Sequence, residues 1–143
     1  MPDIFSDLPI RADQDRVFDA VSTPAGLDAW WTKRSAGERA PGAPFQLWFG
    51  PEYDWRATVT KCLPNAEFEL QIVHADPDWL GTRIEFCLEG RPGLTQVRFR
   101  HSGWPAANEH WRVSCYCWPA YLRLLRRYLE PGEVVPYEKR LDV

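Results

Sequence analysis

Hydrophobic and polar positions change period twice along this chain. Near the start, apolar residues return at helical spacing: Val17, Phe18, Ala20 and Val21 follow Asp13, which serves as an N-cap with Asp15 in the first turn. This helix must stop before Pro24, because a proline pushes the residue ahead of it out of the α region. A second short helix over 24–31 can start on that proline. The mixed segment 4–11 reads as an opening strand, and the Gly- and Pro-rich stretch 36–44 as a loop. Beyond it the period becomes two. Phe45, Leu47 and Phe49 alternate with Gln46 and Trp48, and Trp55, Ala57 and Val59 with Arg56, Thr58 and Thr60. Phe68, Leu70, Ile72 and His74 alternate with Glu67, Glu69 and Gln71, and the same holds for Ile84, Phe86 and Leu88, then for Val97, Phe99 and His101. Such alternation marks strands wet on one face. Leu63-Pro64-Asn65 and Glu89-Gly90-Arg91-Pro92-Gly93 carry turn chemistry, so successive strands should be antiparallel neighbours.

The last element returns to helical spacing. After Trp104-Pro105, residues Trp111, Cys115, Trp118, Leu122, Leu125 and Leu129 form one apolar stripe, closed by Gly132. Pro119 falls inside it, where a proline costs about 3 kcal/mol in a regular helix and removes the amide bond to the carbonyl of Cys115. The helix therefore bends or begins later than Trp104. No repeat or low-complexity linker interrupts the chain, so one domain spans 1–143. The order β-α-α-β-β-β-β-β-α predicts an α+β fold in which a curved antiparallel sheet of about six strands wraps the long C-terminal helix, with two short helices after the first strand.

Composition sharpens this in one respect. At 143 residues a chain buries roughly 70% of its unfolded surface, so it needs no disulfide or metal staple. Eight Trp, seven Phe and five Tyr make up 14% of the chain, and so many bulky rings must line a large core, a cavity, or both. A net charge of −3 argues against nucleic acid, whose binding needs a basic face. Arg123, Arg126 and Arg127 read as a solvated helix face. The N-terminus lacks the pattern of a secretory signal and no apolar run would span a bilayer, so a cytoplasmic location is expected. Cys62, Cys87, Cys115 and Cys117 read as reduced thiols. Cys115-x-Cys117 lacks zinc-knuckle spacing, and no nucleotide, phosphate or catalytic fingerprint occurs, so no metal or cofactor is expected.

Three phrases carry a resemblance. Ile10-Arg11-Ala12-Asp13-Gln14-Asp15-Arg16-Val17-Phe18-Asp19-Ala20-Val21-Ser22-Thr23-Pro24-Ala25-Gly26-Leu27, followed by Trp30-Trp31, resembles the opening of START-like (SRPBCC) proteins of the heat-shock protein 90 ATPase activator homologue type. Thr95-Gln96-Val97-Arg98-Phe99-Arg100-His101-Ser102-Gly103-Trp104 resembles their last strand. Trp118-Pro119-Ala120-Tyr121-Leu122-Arg123-Leu124-Leu125-Arg126-Arg127-Tyr128-Leu129-Glu130-Pro131-Gly132 resembles their final helix. The resemblance spans 10–132 and implies a helix-grip fold whose space between sheet and helix holds lipids, sterols, polyketides or other apolar ligands. Family members often carry Gly where this chain has Cys117, and Pro119 is unusual there, which implies a differently shaped cavity floor. The separate N-terminal domain of the eukaryotic co-chaperones has no counterpart in this sequence.

Candidate residues follow from parity and helical phase. Phe68, Phe86, Phe99, Trp111 and Trp118 should face the space between sheet and helix, Cys115 shares the helix stripe, and Trp30, Trp31 and Trp55 should stand at the rim. Trp48, of opposite parity, is a weaker rim candidate, and Glu52, Tyr53 and Asp54 form a polar hairpin loop beside it. His74 and His101 fall in phase with the apolar face, where an imidazole could donate to a ligand or act as acid or base; His110 should be exposed. The leading expectation is a binder of a small apolar or aromatic ligand in that cavity; the alternatives are a chaperone-modulating module and a cyclase or hydrolase using His74 or His101. The absence of catalytic motifs disfavours the third. Monomer and homodimer both remain open.

Overall fold

In the computed structural model, which describes residues 2–142, the elements run β1 (Ile4–Ile10), α1 (Gln14–Ser22), α2 (Pro24–Trp30), β2 (Arg34–Gly37), β3 (Pro44–Trp48), β4 (Asp54–Leu63), β5 (Glu67–His74), β6 (Arg83–Arg91), β7 (Leu94–Ser102) and α3 (Glu109–Leu129), followed by a 3-10 helix (Tyr137–Asp142). All strands join one antiparallel sheet in the order β1-β7-β6-β5-β4-β3-β2. The sheet has seven strands, not about six. The additional one, β2, is short and mostly exposed at the sheet edge, so it carries no apolar alternation and lies partly in the stretch whose composition reads as loop.

The turn between α1 and α2 is set by sequence. Thr23 accepts the Gly26 amide at 3.1 Å and Pro24 occupies the first turn of α2. Gly26 lets the helices close up, because a Cβ there would overlap the backbone of Asp19 and Ala20. Trp30 is buried in this corner and donates its indole N–H to the Ala20 carbonyl at 2.9 Å.

Helix α3 begins at Glu109, five residues after Trp104, with the Asn108 side chain accepting the Trp111 amide at 3.0 Å. Pro119 nonetheless remains inside it. The proline is exposed, and the carbonyl left without its helical donor is that of Cys115, one turn earlier. The buried stripe is Ser114, Trp118, Leu122, Leu125 and Leu129. Trp111 and Cys115, expected on it, are only half-buried, because Ser114 takes the inward position one turn before Trp118.

His74 also departs from expectation. Ala57 pairs with Ile72, but the next residue toward the start of β4, Arg56, pairs with His74, so an extra residue, Val73, bulges out of β5. A bulge shifts side-chain parity by one, and it leaves His74 exposed opposite Arg56 on the outer face. That outer face is otherwise a lattice of ion pairs, among them Lys61–Glu85, Arg83–Glu69 and Arg98–Glu89, each at 3.0 Å.

After α3 the chain folds back against α3 and the end of α2. Arg140 is buried and donates Nε to the Val135 carbonyl at 2.9 Å, Nη1 to that of Thr32 at 3.1 Å and Nη2 to that of Asp28 at 2.8 Å. Two of these acceptors are carbonyls at the C-terminal end of α2, where a cation is favoured. No helix of the described residues is long and apolar enough to cross a membrane.

Candidate functional site

The concave face of the sheet brings three rings into one row: Phe68 on β5 lies opposite Phe86 on β6, which lies opposite Phe99 on β7. From the helix side Trp118 tilts onto Phe99 with centroids 4.4 Å apart, and Trp31 packs against Trp118 at 5.0 Å. Trp30 meets Phe86 edge-on at 6.1 Å and Phe45 meets Phe68 at 6.2 Å. The rings therefore touch one another across the space between sheet and helix, and Trp30, Trp31, Phe68, Phe86, Phe99 and Trp118 are all buried in a single core with the aliphatic side chains of α1 and α3. Trp48 instead faces outward, with the Arg34 guanidinium 4.2 Å over its ring.

A second group of rings was not apparent from parity. The connection between β5 and β6 makes a tight turn in which the amides of Trp79 and Leu80 donate to the Asp76 carbonyl and Gly81 adopts a φ of 84°. That positive φ suits glycine, and the turn directs Trp79 inward. Trp79 contacts Trp55 at 4.4 Å, His101 at 4.6 Å, Trp104 at 6.0 Å and Trp118 at 6.1 Å. It is the hub where the two ring groups meet. Only its composition hinted at it, since residues in a turn have no parity.

His101 is the polar centre of this hub. The Trp118 indole N–H donates to its Nδ1 at 3.0 Å. An indole can only donate, so Nδ1 is the acceptor and the proton of the neutral ring sits on Nε2. Nε2 lies 2.9 Å from the Thr82 hydroxyl, which donates to the Trp79 carbonyl at 2.6 Å. Burial, with a smaller contribution from His110, pushes the His101 pKa down to about 3. The ring is thus neutral with both nitrogens engaged, which suits a fixed strut and not an acid or base. His74, the other histidine candidate, is on the opposite face of the sheet, so the two are not brought together.

At the margin of the hub His110 is half-buried, not exposed as expected. It stacks on Trp79 with centroids 6.1 Å apart and places Nδ1 3.4 Å from Asp78, whose other carboxylate oxygen accepts from Asn108 at 2.8 Å. Beside it the indole N–H groups of Trp79, Trp104 and Trp111 are buried with no hydrogen-bond partner among the described residues. Each such orphaned donor costs about 1–3 kcal/mol.

Burial pushes the Cys87 thiol up to about 11 and raises those of Cys115 and Cys117, which disfavours the thiolate at these three positions. Among the described residues no three His, Cys, Asp or Glu side chains converge as a metal site. Five depressions open to the outside, and none of these five is lined by a tryptophan. One of them, of about 780 Å³, lies beside Asn108, Val113 and Tyr116 on the outer face of α3.

Residues 11–130 match the family described as Activator of Hsp90 ATPase homolog 1-like protein. Among solved structures, the Aha1 dimer of Colwellia psychrerythraea is 30% identical, with 93% of this chain and 99% of that chain covered and a TM-score of 0.84. Protein MLL2253 of Mesorhizobium loti is 19% identical over 92% of this chain and 99% of its own, with a TM-score of 0.78. Protein BH1534 of Bacillus halodurans is 24% identical over 91% and 98%, with a TM-score of 0.73. The latter two show a shared fold alone. No curated protein matches the chain.

Proposed function

The chain belongs to the Activator of Hsp90 ATPase homolog 1-like family, and from that premise we propose that it works through its surface, as an interaction domain whose partner is an Hsp90-class chaperone. The observation that supports the surface reading is the ring-to-ring packing between sheet and helix. Ligand sites are concave and largely preformed, whereas here Trp31, Trp79, Phe99 and Trp118 occupy the space between sheet and helix and touch one another. The depressions that could take a partner lie outside, along α3 and over the outer sheet face. The chaperone partner comes from the family description, and the domain works as a homodimer, the state in which the Colwellia protein was solved. Adding the purified protein to an Hsp90-class ATPase should give a saturable change in ATP turnover with matching saturable binding by calorimetry. Neither binding nor any change in turnover would overturn the chaperone assignment.

A second reading has one specific observation in its favour. The orphaned indole donors of Trp79, Trp104 and Trp111 would be satisfied by hydrogen-bond acceptors on a small aromatic ligand. Such a ligand would have to enter by parting the rings, beside the half-buried Trp111 and Cys115. Trp30, Trp55, Phe68, Phe86 and His101 would then wall the site.

A further inference from the structure

Strand β1 is an edge of the sheet: β7 pairs with it on one side, and no strand of the described residues lies on the other. Hairpin geometry fixes which backbone groups point to that open side. Arg91 and Leu94 close a two-residue turn between β6 and β7, so they form a hydrogen-bonded pair. Bonding along β7 then alternates between its two neighbours. Thr95, Val97, Phe99 and His101 bond to β1, opposite Ile10, Leu8, Ser6 and Ile4. The N–H and C=O of Phe5 and Asp7 and the carbonyl of Pro9 are therefore aimed at the open edge. Pro9 has no N–H to offer, which suits a position whose amide faces away from the ladder.

Side chains alternate across this edge. Ser6 and Leu8 are half-buried on the α3 side, beside a hollow of about 270 Å³ walled by Pro119, Leu122, Arg123 and Arg126. Phe5, 68% exposed, and Asp7 stand on the outer face beside a hollow of about 620 Å³. On that outer side Arg98 and Arg100 are already paired with Glu89 and Asp3, and Glu85 with Lys61. Asp7, which borders both hollows, Arg123 and Arg126 make no ion pair among the described residues.

Resting on the reading that the domain acts through its surface, we infer that this edge takes an extended peptide segment of a partner protein as an added strand, antiparallel to β1. Main-chain bonds to Phe5 and Asp7 hold it, and the two hollows select its side chains. The residue opposite Ser6 points toward α3, where Arg123 and Arg126 select a carboxylate. The residue opposite Leu8 meets Leu122 and Pro119 and is apolar. Those opposite Phe5 and Asp7 share the outer face, where an aliphatic side chain packs on the bare Phe5 ring and a basic one pairs with Asp7. In its own chain direction the segment thus reads apolar, basic, acidic, aliphatic. Pro9 blunts the edge beyond, which confines the added strand to the span opposite residues 4–8.

NMR titration of the isotopically labelled domain with the peptide acetyl-Ile-Lys-Glu-Val-Thr-amide tests this. The Phe5 and Asp7 amides should shift saturably at peptide concentrations on the order of millimolar. Replacing the peptide's Glu by Lys should weaken binding about tenfold, and the Arg123→Glu/Arg126→Glu double variant, checked for its fold by circular dichroism, should reverse that preference. N-methylation of the peptide's Lys and Val, whose amides face Asp7 and Phe5, should abolish binding, whereas N-methylation of its Glu, whose amide faces solvent, should leave it within about threefold. No binding, unmoved Phe5 and Asp7 amides, equal binding of the Glu and Lys peptides, or indifference to N-methylation at Lys and Val would each overturn the edge assignment. The ATPase and calorimetry experiment above reads the chaperone separately. A domain that fails here and still changes ATP turnover keeps the surface reading by another face, and one that takes this peptide but ignores the chaperone keeps the edge and loses the chaperone.

Discussion

Replacing Trp118 by Ala should lower the stability of this domain by about 3–5 kcal/mol, the range for deleting a large buried aromatic side chain. Trp118 is buried against Trp31, Trp79 and Phe99, and its indole N–H is the donor that His101 accepts. The substitution therefore opens a cavity and also strands a buried imidazole nitrogen. Against a typical total of about 5–15 kcal/mol, the loss amounts to a fall in Tm of roughly 10–15 °C at this chain length. Trp118→Phe keeps much of the volume and removes the donor, so it should fall between the parent and Trp118→Ala. Urea unfolding of the three proteins gives the series. A loss below about 1 kcal/mol for Trp118→Ala would mean that the rings around it are not packed as described.

Acid should destabilise the domain through His101, and the sign follows from where the proton binds. In the unfolded chain the imidazole titrates near pH 6.5; in the folded domain burial holds it at about 3. Between those values the unfolded state carries the extra proton, so stability is full above about pH 6.5 and falls as pH is lowered toward 3. One such group contributes a slope of about 1.4 kcal/mol per pH unit. Protonation would also replace the Trp118–His101 hydrogen bond by two opposed donors. His101→Gln, which cannot titrate, should be less stable than the parent at pH 7 and lose less on going to pH 4.5. Carboxylates common to both proteins cancel in that difference. Parallel stability curves for the two proteins from pH 7 to 4.5 would show that His101 is not buried as a neutral strut.

Much of the fold was legible in the sequence because period-two alternation survives wherever a strand has one wet face. Phe45, Trp55, Phe68, Phe86 and Phe99 all face inward as their parity predicts. Parity failed at His74 because a bulge inserts Val73 and reverses the phase, and no residue type announces a bulge. It was silent on Trp79, which reaches the core from a turn, and on β2, which has no apolar face to show. The arginine that ties down the C-terminal segment was equally hidden: Arg140 binds three carbonyls, those of Thr32 and Asp28 being far away in sequence, and backbone acceptors leave no mark on side-chain pattern. His110 was misplaced for a related reason, since its neighbours Trp79, Trp104 and Asp78 come from two separate connections. The ring count pointed to a large aromatic interior but could not tell whether that interior was open, because a lined cavity and a filled core use the same residues at the same parity.

Intrinsic tryptophan fluorescence and Tm, followed together during titration with a panel of apolar and aromatic small molecules, test the filled interior most directly. A filled interior predicts no saturable quenching and no rise in Tm with any of them. Saturable one-to-one quenching with a stabilisation of about 2.7 kcal/mol at a hundred times the Kd, abolished in Trp118→Phe, would contradict it and establish the ligand-binding reading instead.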